Sequence, residues 1–193
     1  MNVRFFAGKF FYTRPKSNTT ELETQRYHFN ISAPNGYEDY RYDGYFIERN
    51  AFEGNGSKQI MIRDGGFKMS TPLLSEKVGR TDKWIGAINL TTTIPNRINI
   101  LNVLPIKIPL LLFADLGTTS ENWKDNSDVE QLFYEAGFQL TLFKNSFNIY
   151  LPLVYSRSFR NYVNSMYTDK KIMNNIKFSI DLDKFGTISH FRN

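Results

Sequence analysis

Apolar and polar residues alternate with a period of two along much of the second half of this chain. Across residues 131–143, Leu132, Tyr134, Ala136, Phe138, Leu140 and Leu142 fall on one side, and Phe133, Glu135, Gly137, Gln139 and Thr141 on the other. Successive side chains leave a strand on opposite faces, so this pattern predicts a strand with two unlike faces. Residues 84–94 repeat it, with Trp84, Gly86, Ile88, Leu90 and Ile94 opposite Asn89, Thr91 and Thr93. In residues 106–117, Ile108, Leu110, Leu112, Ala114 and Leu116 oppose Phe113, Asp115 and Gly117. Residues 176–182 set Ile176, Phe178, Ile180 and Leu182 against Lys177, Ser179 and Asp181. Each strand is apolar on one face and carries polar or ionisable groups on the other, which implies water or a polar lumen on the second side. Residues 147–155 complete the set. Pro152 inside them predicts an irregularity, because proline cannot donate to a ladder.

The first half is less regular. Residues 3–13, 25–32, 40–48 and 58–63 read as further strands, separated by polar or Gly/Asn-rich stretches and by a turn at residues 33–36. About eight or nine strands result, several near the ~9–11 residues that cross a bilayer when tilted. Residues 144–146 form a short turn, whereas 118–128 and 157–171 read as long polar loops. Short turns at one end and long loops at the other are the habit of membrane barrels. The predicted fold is therefore all-β, an antiparallel transmembrane β-barrel portion, with residues 1–193 as one domain. No internal repeat and no helical periodicity stands out.

Composition leaves two architectures open. Mean hydropathy is −0.41, which taken alone suggests solubility, but a membrane barrel shows lipid only every second residue. Aromatic residues make up 16%, with 17 Phe and 11 Tyr, as suits aromatic girdles at the membrane interfaces. Trp84, Tyr134, Tyr150 and Tyr155 are the candidates for such positions. A soluble sandwich or lipocalin-like barrel holding a hydrophobic ligand is also aromatic-rich and alternating. The apolar faces distinguish the two: in a soluble fold they meet another apolar face, and in a membrane barrel they meet lipid.

Charge and special residues narrow the chemistry. The net charge of +5 is scattered, without the concentrated basic patch of a nucleic-acid binder. The absence of Cys excludes disulfides and thiolate metal sites. No apolar run approaches the ~20 residues of a membrane helix. Residues 1–6 enter a strand-like segment directly, so any export signal is expected upstream, with this chain the C-terminal part of a longer protein.

Enzymatic readings find little support. A zinc peptidase of the gluzincin type needs His-Glu-x-x-His, and the only histidines are His28 and His190. Asp115 and Glu135 form a possible carboxylate pair, but acidic residues line polar lumens in any case. Asp64-Gly65-Gly66 lacks the flanking residues of a phosphate or metal loop and reads as a turn. Ser156 and Ser158 have no nearby His. The expectation is a non-enzyme with no cofactor, no metal and no nucleic-acid partner.

Several segments in order resemble one family. Phe113-x-Asp115-x-Gly117 matches the Phe-x-Asp-x-Gly motif of the bacterial surface antigen superfamily, which includes outer-membrane assembly barrels and two-partner-secretion translocators. Leu90-Thr-Thr-Thr-Ile-Pro95 resembles the preceding strand, Ala136-Gly137-Phe138-Gln139-Leu140 the next, Ile149-Tyr150-Leu151-Pro152-Leu153 the penultimate and Ile176-Lys177-Phe178-Ser179-Ile180 the last. The strongest match covers residues 82–183. The front part, including Arg4-Phe5-Phe6-Ala7-Gly8-Lys9-Phe10 and Asp64-Gly65-Gly66-Phe67-Lys68, resembles the barrel end of envelope proteins with a gluzincin-like N-terminal part. The resemblance implies an outer-membrane location and a role in anchoring an envelope protein or passing a polypeptide. It implies membrane lipid, the barrel-assembly machinery, and a translocated polypeptide or fused peptidase-like domain as partners. It also implies that Asp115 pairs in the lumen with an Arg from an inward-folded loop. The family's Arg-Gly-Phe/Tyr loop motif has no identical copy here. Arg63, before Asp64-Gly65-Gly66-Phe67, and Arg49 are the two candidates, with Glu135, Gln139, Lys177 and Asp181 as further lumen-facing residues.

Overall fold

The computed structural model describes residues 1–11, 28–33, 47, 54–70, 78–95, 97, 99, 101, 109–124, 129–167 and 171–182. Its main feature is one curled, half-barrel sheet of six antiparallel strands. In sheet order these are β1 (Asn2–Lys9), β4 (Trp84–Thr93), β5 (Leu110–Thr119), β6 (Phe133–Leu142), β7 (Phe147–Tyr155) and β8 (Lys177–Ile180). The short strands β2 (Phe29–Asn30) and β3 (Arg80–Thr81) pair separately. No helix among the described residues is long and apolar enough to cross a membrane.

The two-faced pattern is carried into the sheet. Asn89, Phe113, Asp115, Phe133, Glu135, Thr141, Asn148 and Lys177 are buried on the concave side. Ile88, Leu112, Leu116, Tyr134 and Val154 point outward and stay exposed. The irregularity expected at Pro152 is a bulge. Ala136 pairs with Val154 and Gly137 with Pro152, leaving Leu153 as the extra residue.

The concave side is filled by the chain itself. Ile31, Phe67, Met69, Ile85, Phe133, Phe159 and Val163 form one buried cluster, and Ala33, Ile60, Phe113 and Tyr150 a second. Residues 28–33 and 57–70 therefore lie inside the curl. They are stitched together by Gly65 N–H to Asn30 O at 2.8 Å and Ala33 N–H to Met69 O at 2.9 Å.

Three expectations are corrected. Residues 157–171, read as a loop, hold helix α1 (Arg157–Met166), and helix α2 (Lys171–Asn174) follows. Among the described side chains of α1, Phe159 and Val163, four apart, are the buried apolar ones, and so short an apolar stripe is lost in a polar sequence. Residues 58–63, read as a strand, form no strand but isolated bridges at Gln59 and Ile60, that of Gln59 being parallel to Phe178, after a 3-10 turn at Gly56–Lys58. Ile60 N–H donates to Phe178 O at 2.8 Å, so this stretch lies along β8, with Ile60 buried. Where eight or nine strands are expected in one barrel wall, the described residues show six in the sheet and the separate β2–β3 pair. Of the expected strand at residues 25–32, only Phe29–Asn30 is a strand, and that at 40–48 lies outside the described residues save for Ile47.

Helix α1 takes its cap from another loop. Its N-cap residue Ser156 makes no side-chain cap bond. Instead the Glu130 carboxylate accepts the Ser158 N–H at 3.1 and 3.2 Å, and also the Ser158 hydroxyl. This satisfies an otherwise orphaned first-turn donor and places negative charge at the positive helix end. Burial pushes the Glu130 carboxyl up, but the hydrogen bonds from Ser158, together with those from the Glu130 and Arg157 backbone, outweigh it and hold it below its ordinary value. A depressed folded-state pKa stabilises the fold above the unfolded value of about 4.3, and that contribution is lost as the pH falls through the folded value. Glu130→Gln is expected to cost about 1 kcal/mol near pH 7. The difference from the native chain should shrink towards zero in acid, as read by denaturant unfolding across pH.

Candidate functional site on the concave wall

The site is built on the middle of β4, β5 and β6. Register sets Asn89 opposite Asp115 and Asp115 opposite Glu135, and strand alternation turns all three side chains inward. Two carboxylates side by side on a buried wall repel each other and require compensation. The segment at residues 64–69 supplies it.

Lys68 extends its ammonium to Asp115 Oδ2 at 2.6 Å, with both side chains buried. The same ammonium lies 4.8 Å from the centre of the Phe113 ring, a cation–π arrangement. Asn89 Nδ2 donates to Asp115 Oδ1 at 2.8 Å and to Gly65 O at 2.8 Å. Arg4 from β1 donates to Asn89 Oδ1 at 2.8 Å, which fixes the orientation of the amide. Glu135 does not take a side-chain cation. Its carboxylate spans two successive backbone donors, Lys68 N–H and, at 2.9 Å, Met69 N–H. Both acids of the wall are thus bound to one inward segment, one through the Lys68 side chain and the other through the backbone.

Glycine makes the close approach possible. Gly66 has φ +76°, and a Cβ there would stand 2.3 Å from Asn89 Oδ1. Asp64 anchors the start of the segment by accepting the Asn30 N–H at 3.0 Å. Gly117, the last residue of the strand motif, faces Ile31 and Phe67, with room for a Cβ only at 3.0–3.2 Å from its neighbours. Phe113 is buried and meets Tyr150 edge-on, with ring centres 6.4 Å apart.

The structure brings together Phe113, Asp115, Gly117 and Glu135 among the residues singled out from sequence. The cation on Asp115 in the structure is Lys68, five residues beyond Arg63 on the same segment. Arg49 lies outside the described residues, as does His190. The missed residues are Lys68, Asn89 and Arg4. Lys68 directly follows Phe67, the reverse of the basic-then-aromatic order of the Arg-Gly-Phe/Tyr motif. Gln139 belongs to a different group nearer the turn end, with Thr141 at 3.2 Å and Asn148 at 3.3 Å. Lys177 is buried on β8, and Asp181 follows that strand, its N–H on Ser146 O at 2.8 Å. Tyr150, expected at a membrane interface, is instead buried on the concave side with its hydroxyl 3.0 Å from Ser179 Oγ. Tyr134 does point outward, and Trp84 and Tyr155 are half-buried.

Among the described residues no three His, Cys, Asp or Glu side chains are grouped to hold a metal. With both carboxylates bonded to the inward segment, the arrangement acts as a clamp that ties that segment to the wall. Comparisons with protein families, curated proteins and solved structures find no match to this chain.

Proposed function

We propose that this chain is part of an outer-membrane β-barrel of surface-antigen type, with its outward face in lipid and its concave face around an inward-folded segment. The observation that carries this reading is the inversion of the sheet. Its buried side holds Asn89, Asp115, Glu135, Asn148 and Lys177, while Leu112 and Leu116 remain 42% exposed and Val154 55%. A soluble sheet buries its apolar face and wets its polar one. A membrane barrel does the reverse. The sheet ends at β1 and β8, where closure of a barrel requires further strands.

The filled interior favours anchoring over an open pore as the resting role. Two segments and an ion pair occupy the space through which a polypeptide would pass, so passage requires the Lys68–Asp115 and Glu135 attachments to release. The barrel would hold an attached envelope domain at the membrane. The test is to fractionate native membranes for the full-length product and compare its gel mobility with and without boiling. Recovery in the outer membrane with a boiling-dependent shift supports the reading. Recovery as a soluble, unshifted protein overturns it in favour of a soluble module that binds a hydrophobic ligand.

A further inference from the structure

We propose that Lys58 and Lys177 form a binding site for a phosphate-type oxyanion where β8 meets residues 58–60. The parallel bridge between Gln59 and Phe178 sets Lys58 alongside Lys177, and the two ammoniums repel each other. Lys177 is only 4% exposed. A buried cation without a counter-charge is costly, and a second cation beside it compounds the cost. The acids of the concave wall are committed elsewhere, Asp115 to Lys68 and Asn89, and Glu135 to two backbone N–H groups.

Hydroxyl donors are close by. Tyr150 pairs with Lys177 in the β7–β8 register. Its hydroxyl shares one hydrogen bond with Ser179, which lies two residues beyond Lys177. Two hydroxyls joined by a single bond leave one O–H free to donate. Two ammonium point charges and a hydroxyl, with no guanidinium fork, suit a tetrahedral dianion better than a planar carboxylate. The inference stands on the inner side of β8 whether or not the outer face meets lipid.

The full chain, folded in neutral detergent micelles, is heated with increasing inorganic phosphate, against chloride at matched ionic strength. A second series uses micelles doped with a phosphomonoester lipid. The expected result is a saturable rise in melting temperature with phosphate or with the lipid, and the series that responds identifies the source of the anion. Lys177→Met should abolish the rise. Lys58→Met should weaken the apparent affinity about tenfold, the worth of one charge-assisted hydrogen bond. The comparison is of the phosphate-dependent increment within each variant, so a change in basal stability does not obscure it. The proposal is overturned by no rise in either series, as when Asp181 supplies the counter-charge, or by an equal rise in Lys177→Met, which marks general salt stabilisation.

Discussion

Replacing Asp115 with alanine is expected to lower stability by about 3–5 kcal/mol, the range for breaking one side of a buried ion pair. The substitution strands the buried Lys68 ammonium and leaves Asn89 Nδ2 short of one acceptor. The Phe113 ring offers only weak compensation. Lys68→Met should cost a similar amount for the opposite reason, since it leaves Asp115 beside Glu135 across the β5–β6 register with no cation between them. Combining Lys68→Met with Asp115→Leu removes both charges, and the double variant should be more stable than either single one. Urea unfolding of the four proteins in micelles checks this. Equal stability of Asp115→Ala and the parent chain would mean that the pair does not hold the inward segment.

Gly137→Ala should cost about 3 kcal/mol, the upper end for overpacking a close-fitted position. A Cβ on Gly137 would fall 2.1 Å from Leu151 O and 2.8 Å from Pro152 Cα. Both atoms are backbone, and the bulge at Leu153 brings them close. No side-chain rotation relieves that clash, so β6 and β7 must separate. Gly86 on β4 is the control, because a Cβ there meets nothing within 4 Å. Gly86→Ala should fall within about 0.5 kcal/mol of the parent chain. The same unfolding measurement separates the two, and equal effects would place the bulge elsewhere.

The facing of β4, β5 and β6 was legible because lipid or solvent on one side and a packed interior on the other impose a strict period of two, whereas Tyr150 on β7, expected at an interface, is buried. Asp115 and Glu135 could be placed inward on that basis alone. Pro152 announced an irregularity, though not that Leu153 would be the extra residue or that Gly137 would lie under Leu151. The partner of Asp115 was not legible. Lys68 lies 47 residues away, on a segment with no periodicity, and is placed by Gly66 and by the carboxylate grip of Glu135 rather than by strand pairing. The resemblance implies an arginine, whereas the geometry needs only a cation long enough to cross from the inward segment to β5. Ile60 and Ile62, two apart, made residues 58–63 look strand-like, but Ile60 is buried and Ile62 exposed, so the spacing does not mark one buried strand face. Helix α1 was hidden for a different reason: two buried residues and a borrowed cap from Glu130 suffice where Phe67 and Phe133 provide the packing.

The outward face is the central claim, and lipid contact tests it most directly. The chain has no Cys, so single-cysteine variants at Ile88, Leu112, Leu116 and Val154 can each carry a fluorophore without competing labels. After reconstitution into liposomes, nitroxide-bearing lipids should quench all four labels while aqueous iodide leaves them bright. Strong iodide quenching of these positions, with no response to the nitroxide lipids, would contradict a membrane-facing wall.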